Sequence, residues 1–166
     1  MLYNLAVIVG LTLGVASQIS NAQQPCLTKA WTAFNNQDYS NALNASNECI
    51  EDLSAHAQPD QKLLIDLRVP TSPVAPVTDA EKNAIFARGV LNDVGASLYI
   101  RGRSAEYLFR STKQAKYLEI ARSSYNGAVA LPYARTWDTK GWFWSTAEAS
   151  ADRLQSLPAA TVRTKR

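Results

Sequence analysis

The chain has 166 residues, 17 Lys+Arg against 14 Asp+Glu, and 46% hydrophobic residues. Those proportions exclude a disordered polyelectrolyte, a collagen-like rod and a multi-span membrane protein. One His and two Cys exclude a multi-disulfide scaffold and leave too little for a metal cage, so neither metal nor cofactor is expected.

Residues 1–22 carry no charged side chain, and Leu5 to Val15 is an apolar run broken only by glycines and one Thr. Spanning a bilayer takes about 20 apolar residues, so the run reads as a secretory leader. Ser20-Asn21-Ala22 sets small residues where a signal peptidase reads, which predicts cleavage after Ala22 and no transmembrane segment in the mature chain. The leader departs from the usual pattern in having no Lys or Arg before its apolar run. Export changes the reading of Cys26 and Cys49, because an oxidising compartment favours joining the only two cysteines.

The rest reads as helix, predicted over 25–36, 39–55, 60–67, 79–109, 112–131 and 139–156. Thr78-Asp79-Ala80-Glu81 has the form of a capping box, and Ser111-Thr112-Lys113-Gln114 repeats it. Pro70, Pro73 and Pro76 recur every third residue, which is polyproline II spacing, and 68–77 is read as a stiff connector. Tyr133 to Trp144 gathers Tyr133, Trp137, Trp142, Phe143 and Trp144. Asp138 or Thr139 is expected to cap the last helix. On that helix Trp144 would share an inward face with Ala147, Ala151 and Leu154, while Trp142 points away and stays partly exposed. Residues 157–166 end in Arg163-Thr164-Lys165-Arg166 and read as a basic, disordered tail.

Charge is uneven along the chain. Nine acids face five bases through Asp93, and five acids face twelve bases after it. Arg101, Arg103, Arg110, Lys113, Lys116 and Arg122 gather in the later helices. Such a field recruits anionic partners, among which an envelope polysaccharide is retained and nucleic acid is set aside on the ground of export.

Trp31 to Leu53 carries a Gln-Asp-Tyr turn, Tyr39 and Ala42, and then Ser46 and Cys49 on the same helical face. Leu91, Val94, Gly95, Leu98 and Gly102 followed by Ala121, Tyr125, Ala128 and Pro132 repeat the pattern at greater length. Small residues at these spacings let antiparallel helices approach closely. Together they resemble the tetratricopeptide repeat, a helix–turn–helix of about 34 residues. The resemblance implies an all-α domain over 23–156. It has two antiparallel hairpins, the second longer by about two turns in each arm, and a C-terminal capping helix. It also places Cys26 and Cys49 together at the open end of the first hairpin. It implies a concave surface lined by the first helix of each hairpin, with Trp31 and Phe34 from one and Asn92, Tyr99 and Arg103 from the other.

Signatures of catalysis are missing from the sequence. His56 is the sole histidine, and there is no H-E-x-x-H, Walker loop, Cys-x-x-Cys or Gly-x-Ser-x-Gly. His56 is expected at the surface near a helix end. The resulting expectation is an exported, non-enzymatic repeat module that binds a protein or peptide in a bacterial envelope or periplasmic assembly. The alternative is a carbohydrate-associated protein, either a glycan-binding accessory or a small hydrolase, using Trp142 and the aromatic segment 133–144.

Overall fold

The computed structural model describes residues 24–72, 77–138 and 140–159. The described residues form six helices and one two-stranded hairpin: α1 (Pro25–Asn35), α2 (Tyr39–Asp66), α3 (Asp79–Phe86), α4 (Gly89–Thr112), α5 (Ala115–Val129), β1 (Arg135–Asp138), β2 (Trp142–Ser145) and α6 (Thr146–Ser156). The class is broadly all-α. Helices pack in sequence, α1 on α2, α2 on α4, α4 on α5 and α5 on α6. α4 is the central element and also touches α1, α6 and β1.

α1 starts at a proline in its first turn, where a missing N–H costs nothing. Its inner face, Leu27 and Ala30, closes on Ala42, Ala45 and Cys49 of α2 and Ala96 and Ile100 of α4. The connection 36–38 turns the chain back, with Gln37 in the left-handed region at φ 62° and Asp38 accepting the Asn41 amide at 3.2 Å to cap α2. Cys26 and Cys49 are joined, with Cα atoms 5.4 Å apart. The double variant Cys26→Ser/Cys49→Ser should lose about 3 kcal/mol of stability, because the bridge removes loop-closure entropy from the unfolded chain. Peptide mapping without reduction should recover the two cysteine peptides joined. Two alkylatable thiols in native material would refute the linkage.

Four of the expected elements are corrected. The helices expected over 39–55 and 60–67 are one helix, α2, with Pro59 inside it. Ala55 and Pro59 are both exposed, so the one carbonyl deprived of an N–H meets water. His56 is exposed, as expected, but lies in mid-helix and not at an end. The helix expected over 79–109 is broken between Phe86 and Gly89 into α3 and α4. Asn92 donates its side-chain amide to the Ile85 carbonyl at 2.7 Å, satisfying a group that the break frees. Thr78 and Glu81 do form the capping box of α3.

The second capping box, expected at Ser111 to Gln114, does not form. α4 runs through Thr112 and stops at Lys113, which adopts φ 58°. Thr112 instead donates to the Leu108 carbonyl. The helix expected over 139–156 begins only at Thr146, capped by Ser145, which accepts the Glu148 amide at 3.2 Å. What precedes it is an antiparallel hairpin pairing Thr136 with Trp144 and Trp137 with Phe143. Its turn closes through Gly141, at φ 98°, whose N–H donates to the Asp138 carbonyl. Only glycine takes that backbone without strain.

The connector after α2 is pinned by the segment after α5. Tyr133 donates to the Val69 carbonyl at 2.6 Å. The Arg135 guanidinium donates to the carbonyls of Ser72, Pro132 and Ala134 at 2.6–3.1 Å. Pro73 and Pro76, on which the polyproline reading rests in part, lie outside the described residues, as do the leader and the basic end at 163–166. Leu157, assigned from sequence to the tail, is buried against α5 residues.

Candidate functional site

A concavity of about 670 Å³ lies between α1, the first half of α4 and the hairpin. Helical periodicity explains its two helical walls. Thr28, Trp31, Thr32 and Asn35 recur at three and four residues along α1, as do Asn92, Asp93 and Ala96 along α4. The third wall is aromatic, with Trp137 of β1, Phe143 and Trp144 of β2 and Phe86 at the end of α3. These rings hold one another edge-on. Trp137 and Phe143 centroids are 4.9 Å apart, and Phe86 stands 5.2 Å from Phe143. Such packing fixes ring orientation in advance of any ligand.

Alternation along β2 decides which rings face where. Phe143 is 1% exposed, while Trp142 is 42% exposed and Trp144 half-buried. The expectation that Trp144 sits in a helical core face with Ala147, Ala151 and Leu154 is therefore corrected. Trp144 lies on a strand, on the same side as Trp142, and Phe143 takes the core position. The partial exposure expected of Trp142 is observed.

Asp93 is the one acid on the α4 wall. Its Oδ2 accepts the Gln24 amide at 3.2 Å, tying the start of α1 to α4. Among the described residues no Lys or Arg reaches within 4.0 Å of this carboxylate. Burial pushes its pKa up to about 6, against the opposing pull of the Gln24 N–H. The sign follows from linkage: the folded pKa exceeds the unfolded one, so Asp93 opposes folding above pH 6. That cost is relieved as pH falls through about 6 toward the unfolded carboxylate value. Arg135 also lines the groove, but its donors are taken by backbone carbonyls.

The six residues expected to bind fall into separate places. Trp31 and Asn92 line the groove. Asn92 also has structural partners: its amide donates to Ile85 and its oxygen accepts the Arg135 N–H at 2.9 Å. Its replacement should therefore loosen the junction of α3, α4 and β1. Phe34 packs instead on Tyr39 and Tyr107, which stack at 4.3 Å. Tyr99 stands edge-on to Trp144 at 5.0 Å. Arg103 donates to the Tyr107 hydroxyl at 2.8 Å and lies 4.0 Å from Glu106. Trp142 borders a second, shallower recess of about 350 Å³ with Glu148 and Asp152.

Asp93 was missed in the sequence, and the aromatic segment was singled out there only for glycan binding and not as a wall of this groove. Asp93 had a signal: it is the sole charge between Gly89 and Ile100 on an otherwise apolar helix. The hairpin also had one, aromatic residues flanking a turn that contains Gly141. Among the described residues no group of His, Cys, Asp or Glu is arranged to hold a metal, and no helix is long and apolar enough to cross a membrane. No protein-family model, no curated protein and no solved structure matches the chain.

Proposed function

We propose that this protein is an exported, non-enzymatic module of the tetratricopeptide-like kind, which holds an extended segment of another protein in the groove between α1, α4 and the hairpin. One observation carries the reading: the groove lies on the first helices of both hairpins and is closed by a preset aromatic wall. The repeat assignment is supported by burial. Ala42, Gly95, Gly102, Ala121, Tyr125 and Ala128, the small and aromatic positions of the pattern, are all buried. It is also supported by the stepwise packing of helices, with α1 reaching past α2 to α4. The bridged cysteines and the leader-like start favour export.

Selection of a displayed random dodecapeptide library on the chain beginning at Gln23 tests the reading. Selected peptides, made synthetically, should bind Trp31→Ala about tenfold or more weakly, because aromatic anchors in a desolvated groove dominate such interfaces. Thermal melting of the variant checks that it folds. Equal affinity for wild type and Trp31→Ala would remove the groove from consideration. A second reading, glycan binding, is favoured by one feature: exposed Trp142 beside Glu148 and Asp152. A glycan array run in parallel would install it if binding appeared there, vanished in Trp142→Ala and had no counterpart among peptides.

A further inference from the structure

The groove's chemistry selects one kind of peptide. Trp31, Phe86 and Trp137 line it together with the acids Asp93 and Asp138. The single base among the lining residues, Arg135, already donates to three carbonyls. The lining thus holds two acids against one buried base, beside an aromatic wall. That pairing recognises an organic cation, because ring faces attract it electrostatically while a carboxylate fixes its position.

Asp93 is the group best placed to do this. One of its oxygens accepts the Gln24 amide, and neither has a cationic partner among the described residues. A carboxylate held partly out of water without a counter-charge is poised to gain one from a ligand. The same wall already shows the complementary half of the chemistry: the Lys82 ammonium of α3 stands 4.8 Å from the Trp137 ring centroid.

Resting on the peptide-groove reading above, we infer that the groove recognises a lysine or arginine side chain of the bound segment, seated on its tryptophans and paired with Asp93. The occupant is a basic segment of another protein. Structurally, Asp93 also clasps α1 to α4, and a merely structural clasp would be indifferent to the charge of the ligand.

The test uses the dodecapeptides selected on the full mature chain. They should be rich in Lys or Arg. Replacing the critical base by norleucine, which keeps the stem and removes the charge, should weaken binding to wild type about tenfold. The same replacement should change binding to Asp93→Asn less than about twofold, the remaining affinity coming from apolar contact. Asp93→Asn should melt no lower than wild type, since the amide still accepts from Gln24. If that variant fails to fold, the norleucine comparison and its salt dependence on wild type decide alone: only the charged peptide should weaken as salt rises.

Peptides that need Trp31 but carry no enriched base, or that bind equally well as norleucine analogues, would overturn this inference and leave the groove reading standing. An equal norleucine penalty in wild type and Asp93→Asn would also overturn it. Peptides indifferent to Trp31→Ala would instead remove the groove reading, and this inference with it. Binding confined to a synthetic peptide of residues 158–166 would place the chain's own basic end in the groove and overturn the choice of partner.

Discussion

Truncating Glu106 to Ala is expected to cost about 3–5 kcal/mol of stability, the range seen when one partner of a buried ionic network is removed. Glu106 is 4% exposed and joins three helices. It accepts the Tyr125 hydroxyl of α5 at 2.9 Å and the Arg153 Nε of α6 at 3.0 Å, with a second bond from Arg153 Nη2. Arg110 donates from its own helix at 2.5 Å, and Arg103 lies at 4.0 Å. Burial alone would push the Glu106 carboxyl up. The hydrogen bonds from Arg153 and Tyr125 and the nearby arginine charges outweigh it and hold the pKa below its ordinary value.

The folded pKa of Glu106 is thus below the unfolded one. Its stabilisation is present above the ordinary glutamate range and is lost as pH falls through the folded pKa. Asp93 works in the opposite sense near pH 6. Urea midpoints of wild type and Glu106→Ala at neutral pH measure the predicted loss. A change under about 1 kcal/mol would mean that water screens the cluster as it does exposed pairs. Three arginines converging on one buried acid also account for part of the basic charge in the second half of the chain. Arg103, Arg110 and Arg153 are engaged here, and Arg122 donates to the Pro158 carbonyl. One carboxylate offsets only one of these charges, so the second half of the chain stays basic.

Gly102→Val should be nearly as damaging. A Cβ at Gly102 would stand 2.5 Å from Tyr125 Cε1 and 2.7 Å from Cδ1. Tyr125 cannot swing aside, because it is fully buried and its hydroxyl is held by Glu106. α4 and α5 must therefore separate. Overpacking of this kind costs about 1–3 kcal/mol, more than the roughly 1 kcal/mol that leaving glycine gains within a helix. The added β-branch places Val at or above the upper end of that range, and Gly102→Ala near the lower end. Gly127→Ala is the control: its new Cβ meets only the Leu98 side chain, at 3.1 Å, and that chain can give. A Gly127 variant as unstable as the Gly102 variants would show that helix propensity and backbone effects, and not the Tyr125 contact, govern both.

Particular residues show how far sequence reasoning reached the candidate site. Trp31 was legible through the repeat resemblance, which sets it on the concave surface. Gly102 and Tyr125 were legible as separate positions of the second repeat, and the structure sets one against the other. The structural bonds of Asn92 were not legible, since they run to residues seven and forty-three positions away. Trp144 was placed on a helix because it fits a helical spacing with Ala147, Ala151 and Leu154. The period-two alternation that separates Phe143 from its neighbours is only four residues long.

From sequence alone came the all-α class, the α3 capping box, the Cys26–Cys49 pair and the helical faces that become the core. These follow from local hydrogen bonding and from periodicity, which operate between residues a few positions apart. Only the tertiary structure decided that α2 continues through Pro59, that the chain breaks after Phe86, and that residues 135–145 form a hairpin. The first two depart from what their own segments favour, and the hairpin's local signal is only four residues long in each strand. The break and the hairpin are held by distant partners: Asn92 binds both Ile85 and Arg135, and Arg135 binds Ser72. The groove exists where those long-range bonds bring the aromatic hairpin against α1 and α4. Asp93 lines one groove with tryptophans more than forty residues later in the chain for the same reason.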